Sequence, residues 1–499
     1  MRDLLITGFI NSFSPLILVT NAIGMLLGIL FGAIPGLNGN LGIILLLPLT
    51  MSMDPAQALV FLISIFCGGE FGGSISAILL GTPGTNSATC TMIEGYPLAK
   101  KGKARKALMM ALTASTFGGL FSAVILAMAA PTIAEYTINF GPPEYFAMAV
   151  LGLSIIASLS GQNLSKGLIS ASLGVILSLV GLDISSGIER FTFGNLNLLS
   201  GITLVHLLTG AFAIPSIIEK VSECYQERHK SIYTKPIEMS AEDKLSLAEV
   251  LQRKWIMLRG AIYGVIIGAI PGAGTAIAAF LSYDDAKRSS KHPEEFGKGC
   301  LDGIAAPEAA NNAVTAGSLI PLFTLGIPGC PAGATLIGAF MLQGMSAGPL
   351  LFKEHGPVMY TIIISIFVAN IFMFAEGLAL SKYFAKITQI PKVIMVPALV
   401  VVCAAGAFSV NKSMFDVGVF ILFGACSYFL NLMEIPPVPM ILGFVLGPIA
   451  EFNFRRALVM SQNNPSIFIT RPISLVIIVL TVVMLLYSTH RNRKVDSCG

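Results

Sequence analysis

The chain has 499 residues, enough for two to four soluble domains, but its composition argues against a soluble protein. Charged residues make up 12% of the sequence, against about 25% in a typical globular chain, and hydrophobic residues make up 54%. The sequence contains no basic stripe with interleaved aromatic residues, so it gives no indication of a nucleic-acid partner. Six stretches without Asp, Glu, Lys or Arg are each long enough for the roughly 20 residues that span a bilayer, at 4–53, 107–134, 145–165, 191–218, 260–283 and 309–352. The sequence therefore predicts an all-α polytopic membrane protein.

Apolar segments follow one another in chain order, and about 10–12 of them are expected to cross the membrane. In the first half, segments at 14–34 and before 81–84 end at proline-glycine pairs, and further spans fit at 107–130, 144–161, 165–182 and 196–217. In the second half, complete or broken spans fit at 260–281, 304–327, 331–351, 357–379, 393–410, 415–432, 437–450 and 472–489. The segment at 437–450 is short and flanked by proline, so a re-entrant segment is the alternative there.

The longest polar interval, 219–259, divides the chain into two halves. We expect a first membrane repeat at 1–218, a cytoplasmic linker at 219–259, and a second membrane repeat at 260–499 that carries additional C-terminal transmembrane segments.

Helix-breaking sequences recur at matching points of the two halves. Gly-Ala-Ile-Pro-Gly occurs at 32–36 and again at 268–272, and a second proline-glycine pair follows each copy, at 81–84 and 326–329. Proline lacks an amide hydrogen and glycine has low helix propensity, so each sequence predicts a broken helix or re-entrant hairpin. Backbone groups freed in hydrocarbon need partners from protein, water or ligand, which makes these breaks candidate binding elements.

The distribution of basic residues indicates that the two repeats have opposite orientations. Positively charged loops favour the cytoplasmic side of a membrane. The loop after the first break is nearly uncharged in the first half (50–57) and basic in the second (287–298). The loop after the second break is basic in the first half (100–106) and nearly uncharged in the second (345–357). This exchange predicts inverted-topology repeats, an architecture of secondary transporters that bind solute near the midplane.

Small polar residues surround the breaks and form a candidate substrate-binding set. The set consists of Pro35, Gly36, Asn38, Thr82, Pro83, Gly84, Thr85, Asn86, Gly272, Gly274, Thr275, Asn311, Asn312, Pro328 and Gly329. Half-helix N-termini suit a carboxylate or phosphate, whereas freed carbonyl and side-chain oxygens suit a hard cation such as sodium. The alternative is that small residues simply let membrane helices pack closely.

Two carboxylates and a hydroxyl are candidates for coupling a cation to transport. Glu70 and Glu308 each precede the second break of their half, and ionisable groups at membrane depth are functional candidates. Thr315 adds a hydroxyl oxygen to this set. For Glu308, a position at the cytoplasmic interface near Asp302 is an equal alternative.

Sequence signatures of an enzyme are absent. The chain has no nucleophile elbow, no H-E-x-x-H, no Walker A loop and no spacing suited to a metal site. We therefore expect a transporter that is not an enzyme, has no cofactor, and uses Na⁺ or H⁺ as coupling ion. The alternative is a passive anion channel or pore in which the Gly-rich breaks form a filter.

Motifs along nearly the whole chain resemble the large permease subunit of tripartite tricarboxylate transporters. The matching stretches of the first half are 32–37, 45–50, 71–85 and 94–102. Those of the second half are 280–283, 296–299, 306–313, 320–329, 443–448, 455–458 and 471–474. Gly81 stands where the family often has asparagine and Glu70 where a neutral residue is common, which argues against citrate itself as the solute.

The resemblance implies a multi-pass protein of the bacterial inner membrane that imports a carboxylate, tricarboxylate-like or dicarboxylate-like, by symport. It also implies two protein partners, a small four-helix membrane subunit and a periplasmic solute-binding protein that delivers the solute. The proline-glycine loops of both halves and the pair Asn311-Asn312 would carry binding.

Overall fold

The computed structural model describes residues 2–137, 140–154, 164–183, 186–229, 243–388 and 392–496. These residues are almost entirely helical, and their strands form one short antiparallel pair, Gly181–Leu182 (β1) with Glu189–Arg190 (β2). The end of the predicted span 144–161 and part of the predicted linker lie outside the described residues. The predicted all-α fold is confirmed.

The first half contains nine helices in its described part. They are α1 (Arg2–Ser12), α2 (Pro15–Ala33), α3 (Gly39–Leu46), α4 (Pro55–Leu80), α5 (Ala88–Leu98), α6 (Ala104–Thr137), α7 (Pro142–Ser154), α8 (Leu164–Ser178) and α9 (Leu204–His229). A 3-10 segment, Leu47–Ser52, continues α3, and the π-helical segment Ala99–Lys103 joins α5 to α6.

The rest of the described chain begins with a short helix of the linker, α10 (Leu247–Gln252). It continues with α11 (Lys254–Ala269), α12 (Gly274–Ser289), α13 (Asp302–Leu325), α14 (Pro331–Leu342), α15 (Leu351–Glu354), α16 (Gly356–Leu380), α17 (Phe384–Ile387), α18 (Lys392–Asn411), α19 (Met414–Leu432), α20 (Pro437–Met460), α21 (Ile467–Thr470) and α22 (Pro472–Asp496).

Seven helical stretches of the described chain are long and apolar enough to cross a membrane. They are Pro15–Ala33, Pro55–Leu80, Ala88–Thr137, Leu204–Ser222, Gly356–Tyr383, Met414–Leu432 and Pro437–Met460. Shorter apolar helices cover Gly39–Ser52, Leu164–Ser178, Pro331–Leu342, Val396–Asn411 and Pro472–Val483. These lengths and compositions are those of a multi-pass membrane protein.

Helices end at all four predicted breaks. At the first break of each half, α2 and α11 end two residues before Pro35 and Pro271, and the glycines that follow these prolines have left-handed backbones with φ of 81° and 79°. At the second break, Gly81 and Gly326 end α4 and α13 with φ of 66° and 71°. Left-handed φ favours glycine because it has no Cβ, so the local sequence explains where each helix stops.

Equivalent helices of the two halves pack through equivalent glycines. A Cβ added to Gly24 of α2 would lie 2.5 Å from the Phe61 carbonyl oxygen of α4. A Cβ added to Gly260 of α11 would lie 2.5 Å from the Ala306 carbonyl oxygen of α13. Both helix pairs are therefore as close as glycine allows. The packing repeats between halves, while the opposite membrane orientation stays a prediction.

Helix α20 differs from its prediction. The segment expected at 437–450, short enough to be re-entrant, is the start of a 24-residue helix. The helix continues past Pro448 because charged residues of its second half have partners, with Glu451 bonded to Arg190 at 3.0 Å and Arg455 to Asp183 at 3.0 Å.

Helix α9 also differs from its predicted range, 196–217. Its start is later because Leu196–Leu198 forms a 3-10 turn and Gly201 has a φ of 78°. Its end at His229 is later as well, so the helix enters the interval that the sequence assigned to the linker.

Candidate functional site

The two breaks of each half lie directly against each other. A Cβ added to Gly84 would clash with the Gly32 carbonyl oxygen, and one added to Gly329 would lie 2.6 Å from the Gly268 carbonyl oxygen. In the second half the Gly272 amide also donates to the Gly329 carbonyl at 3.1 Å. Each half therefore brings two interrupted backbones to one place, and only glycine leaves room for the approach.

Half-helices from different halves also meet. The Thr335 hydroxyl of α14 donates to Asn40 Oδ1 of α3 at 2.9 Å. In the matching position, the Cys90 thiol of α5 lies 3.6 Å from the Ala279 carbonyl oxygen of α12. The N-terminus of α3 is capped by Asn38, whose side chain accepts from the Leu41 amide at 2.8 Å. The half-helix that follows the first break of each half is thus in contact with the half-helix that follows the second break of the other half.

The breaks of the first half are more accessible than the second break of the second half. The structure exposes Gly36, Asn38, Thr82, Pro83 and Asn86, half-buries Pro35, Gly84, Thr85, Gly272, Gly274 and Thr275, and buries Asn311, Asn312, Pro328 and Gly329. The first-half breaks are therefore partly open at the surface of the chain, while Pro328 and Gly329 are closed off by packing.

Glu70 lies between the second break of its own half and helix α13. Its carboxylate accepts from the Ser87 hydroxyl at 3.0 Å, and Ser87 lies 3.0 Å from the Thr85 hydroxyl oxygen. The Asn311 amide nitrogen is 3.4 Å from the Glu70 carbonyl oxygen. The buried Asn311 Oδ1 has no hydrogen-bond partner among the residues that the structure describes. A carboxylate and an unsatisfied amide oxygen in one place are oxygen ligands that suit a hard cation.

Glu308 lies in a different environment. It is fully buried, and its carboxylate accepts hydrogen bonds from Ser74, Thr91 and, at 2.7 Å, Ser115. Asp302, the proposed neighbour at the cytoplasmic interface, pairs instead with Arg253 at 2.6 Å. The structure buries Glu308 within the protein, and its depth in the membrane stays a prediction. Three hydroxyl donors from α4, α5 and α6 join this carboxylate of α13 to the first half.

Asn312 and Thr315 contact their own helix and α16. The Thr315 hydroxyl donates to the Asn312 carbonyl at 2.6 Å, and the Asn312 amide nitrogen lies 3.2 Å from the Met373 sulfur. Asn312 Oδ1 is buried and, within the described chain, has no hydrogen-bond partner. The side chain of Asn312 therefore contacts helix α16.

Two charged residues, one beside a break and one in the half-helix α5, were not singled out as site residues by the sequence. Lys220 of α9 lies against Gly36, at a position that the sequence counted among linker charges. Glu94 of α5 is buried and accepts from the Gly299 amide at 2.7 Å, the Cys300 amide at 2.8 Å and the Tyr283 hydroxyl at 2.8 Å. Glu94 thereby fastens α5 to the loop after α12. The sequence feature that could have identified Glu94 is the family-like motif at 94–102. That motif contains the residue but does not indicate which residues it binds.

A family model matches most of the chain. The model of the tripartite tricarboxylate transporter TctA family matches residues 18–442. A 52.8 kDa protein in the TAR-I ttuC' 3' region of Agrobacterium vitis is 38% identical over 470 residues, which cover 94% of this chain and 92% of that protein. A protein in the TAR-II ttuC' 3' region of the same organism is 40% identical over 211 residues. The aligned region covers 42% of this chain and 87% of that protein.

One solved structure that is similar to this chain matches it weakly. A mutant of the Eremococcus coleocola manganese transporter is 13% identical to this chain, with a TM-score of 0.13. The alignment covers 93% of this chain and 95% of the transporter chain. This score is too low to support a structural conclusion.

Proposed function

The chain belongs to the tripartite tricarboxylate transporter TctA family, and we propose that it is the large membrane subunit that imports a carboxylate solute by cation symport. The family is one of transporter components, not of enzymes. A dicarboxylate-like or tricarboxylate-like solute would be delivered by a periplasmic binding protein, and a small four-helix subunit would complete the assembly in the bacterial inner membrane.

The observation that carries this proposal is the direct contact between the paired breaks, Gly32 with Gly84 and Gly268 with Gly329. Interrupted helices are tolerated at membrane depth where they are buried in protein or line a cavity, and transporters use them to bind solute and ion. Two such pairs, joined across the halves by Asn40 and Thr335, support one composite site.

The solute would bind at the accessible breaks of the first half. Gly36, Asn38, Thr82 and Asn86 are exposed and lie at or near the N-termini of α3 and α5. Free amides and the positive end of a helix dipole favour an anion such as a carboxylate. The glycines allow its oxygens to approach the backbone closely.

The coupling cation would bind beside Glu70. Asn311 Oδ1 offers an unused oxygen there, whereas the oxygens of Glu308 already accept three hydrogen bonds. A cation at Glu70 would lie next to Ser87, in the loop that leads into the half-helix α5. Solute and ion would therefore share one loop, an arrangement that permits each to favour binding of the other.

Uptake into proteoliposomes that contain both membrane subunits tests the proposal. With the binding protein added outside, the proposal predicts saturable uptake of a carboxylate that requires a sodium or proton gradient. The alternative, a passive anion channel, predicts flux that rises linearly with concentration and needs no ion gradient.

Labelling of introduced cysteines tests the opposite orientation of the two repeats. A cysteine at position 101 should react only from the cytoplasmic face and one at position 350 only from the opposite face. Reaction of both from one face would remove the inverted-repeat part of the proposal.

A further inference from the structure

Three of the family-like motifs, 94–102, 280–283 and 296–299, meet at one buried carboxylate although they lie far apart in the sequence. Glu94 is the first residue of the first motif and is fully buried. It accepts a hydrogen bond at 2.8 Å from Tyr283, the last residue of the second motif. None of these stretches contains a residue of the candidate substrate-binding or cation-coupling sets. Their convergence therefore needs a separate explanation.

Backbone amides of the loop 290–301, which joins α12 to α13, form a cradle for this carboxylate. The Gly299 amide donates to Glu94 at 2.7 Å and the Cys300 amide at 2.8 Å. The Gly297 amide donates to the same carboxylate. Gly297 and Gly299 have φ of 84° and 96°, left-handed values that help to turn nearby amides towards one anion. Because hydrogen bonds to a carboxylate are stronger than neutral ones, this cradle fastens α5 of the first half firmly to the second half.

Helices α5 and α12 also touch one turn closer to the breaks. The Cys90 thiol lies 3.6 Å from the Ala279 carbonyl oxygen. Residue 90 is four positions before Glu94, and residue 279 is four positions before Tyr283, so each pair shares one helix face. The two contacts therefore belong to one interface between facing sides of α5 and α12.

Helix α5 has the proposed cation site at one end and the cradle at the other. Ser87, which donates to Glu70 at 3.0 Å, directly precedes the helix. Glu94 follows Ser87 by seven positions, about 10 Å along a helix. The basic loop 100–106, predicted to be cytoplasmic, comes next in the chain. Helix α5 therefore lies between the proposed cation site and the predicted cytoplasmic face.

A candidate hinge follows α5 directly. The π-helical segment Ala99–Lys103 contains Gly102, whose φ of 79° interrupts the helical geometry between α5 and α6. A Cβ added to Gly102 would meet no atom within 4 Å among the described residues, so packing leaves this backbone free to turn. Hinges are commonly a few residues of this kind at the ends of helices. The motif at 94–102 thus begins at the cradle and includes the hinge.

We propose that Glu94 is the latch of a cytoplasmic gate, in which α5 turns about Gly102 and opens the way out of the breaks when the loop 290–301 releases the carboxylate. This inference rests on the proposed function, because a transporter that exposes its site to one face at a time needs a gate on each face. The contrasting role is structural, in which Glu94 holds α5 and the loop in one fixed arrangement.

The native Cys90 reports whether this interface opens. A membrane-impermeant maleimide is applied to the cytoplasmic face of inside-out vesicles that contain the full assembly. Peptide mass spectrometry then compares its reaction at Cys90 with that at Cys67, a second buried cysteine, in α4. Glu94→Gln removes the charge and places an amide group against backbone donors, so the Cys90-to-Cys67 ratio should rise at least about tenfold. Glu144→Gln is the matched control and should leave the ratio unchanged, because this buried carboxylate accepts from the Gly141 amide at 2.8 Å in α7.

Tyr283→Phe keeps the test decisive if the Glu94 variant fails to fold. It removes one donor to Glu94 and retains the ring, which lies edge-on to Phe296 at 5.5 Å. The Cys90-to-Cys67 ratio should rise at least about threefold, because the backbone amides still hold the carboxylate. Equal rises at Cys90 and Cys67 in this variant would show general loosening and would overturn the proposal.

A reversible cross-link separates a gate from a fixed contact. Lys101 and Lys298 are exposed on the two sides of the interface, where the Lys101 ammonium donates to the Lys298 carbonyl at 2.6 Å. Lys101→Cys and Lys298→Cys, joined by a bis-methanethiosulfonate, should lower uptake of succinate or tricarballylate at least about tenfold, and reduction of the link should restore it. Lys298→Cys alone, treated in the same way, is the control. Undiminished uptake with the link in place would give Glu94 a structural role and overturn the gate.

The labelling needs no solute, so failure of the latch and failure of the proposed function give different results. An unchanged Cys90-to-Cys67 ratio in both Glu94→Gln and Tyr283→Phe would overturn the latch, while saturable, gradient-driven uptake by the unmodified protein would leave the symport standing. A raised ratio in an assembly that shows no such uptake would support the latch and count against the symport.

Discussion

The carboxylate of Glu308 accepts a hydrogen bond from the Ser115 hydroxyl at 2.7 Å, in a bond that joins α13 of the second half to α6 of the first. Ser74 and Thr91 donate to the same carboxylate from α4 and α5. One buried side chain thus connects four helices. This relationship separates Glu308 from Glu70, which accepts a side-chain hydrogen bond from Ser87 and lies beside an unsatisfied amide oxygen.

Removal of the Glu308 carboxylate should therefore damage the fold. Glu308→Ala leaves three buried hydroxyls without this acceptor, and each unsatisfied group costs about 1–3 kcal/mol. We expect the free energy of unfolding in detergent to fall by at least about 2 kcal/mol. Glu308→Gln, which keeps an acceptor oxygen, should lose less. Equal stability of Glu308→Ala and the unmodified protein would contradict this role.

Glu70→Gln should instead change the ion dependence of transport. The variant removes a negative charge at the proposed cation site but keeps an oxygen for Ser87. We expect the half-saturating concentration of the coupling cation to rise at least about tenfold, equivalent to about 1.4 kcal/mol, with near-normal thermal stability. Uptake measured over a range of sodium concentrations and pH values checks this. An unaltered cation dependence would remove Glu70 from the coupling site.

Gly84→Ala and Gly329→Ala should each disrupt the contact between paired breaks. The added methyl groups would meet the carbonyl oxygens of Gly32 and Gly268, and overpacking of this kind costs about 1–3 kcal/mol. We expect uptake to be lost in both variants while membrane insertion is retained. Gly418→Ala is the control, because a Cβ there would meet no atom within 4 Å among the described residues. Normal uptake in both break variants would mean that close approach of the breaks is not needed.

The linker helix α10 should remain docked in mildly acidic conditions. Lys106 bonds Glu249 at 2.6 Å and lowers the pKa of that carboxyl from 4.5 to about 2. Since the pKa is lower in the folded state, this stabilisation is complete above about pH 4.5 and is lost as the pH falls towards 2. Hydrogen exchange of residues 247–252 should therefore stay slow at pH 4, after correction for intrinsic rates. Lys106→Met should accelerate it at neutral pH, and no acceleration would contradict the docking role of the pair.

The helix breaks could be predicted because they depend on local chemistry. Proline has no amide hydrogen, and glycine adopts the left-handed φ found at Gly36, Gly81, Gly272 and Gly326. Neither effect depends on distant parts of the chain. The proline-glycine sequences therefore located the breaks correctly, whereas the binding role of the residues around them stays a prediction.

Contacts between distant segments could not be predicted in the same way. Lys220 stands in a charged interval, and its place beside Gly36 depends on the continuation of α9 past the predicted end of its span. The partners of Glu94 lie about two hundred residues further along the chain, in the loop 297–300. Helix α20 exceeded its predicted length because Glu451 and Arg455 have partners in another loop. Each case depends on tertiary packing that sequence periodicity does not record.

We propose that carboxylate movement through these breaks is coupled to a cation gradient. Proteoliposomes with equal carboxylate concentrations on both sides, containing the full assembly and its binding protein, test this most directly. Imposing an inward sodium or proton gradient should drive net accumulation of the solute inside, and collapsing the gradient with an ionophore should release the accumulated solute. Carboxylate that stays equal on both sides under either imposed gradient would contradict symport and favour a passive pore.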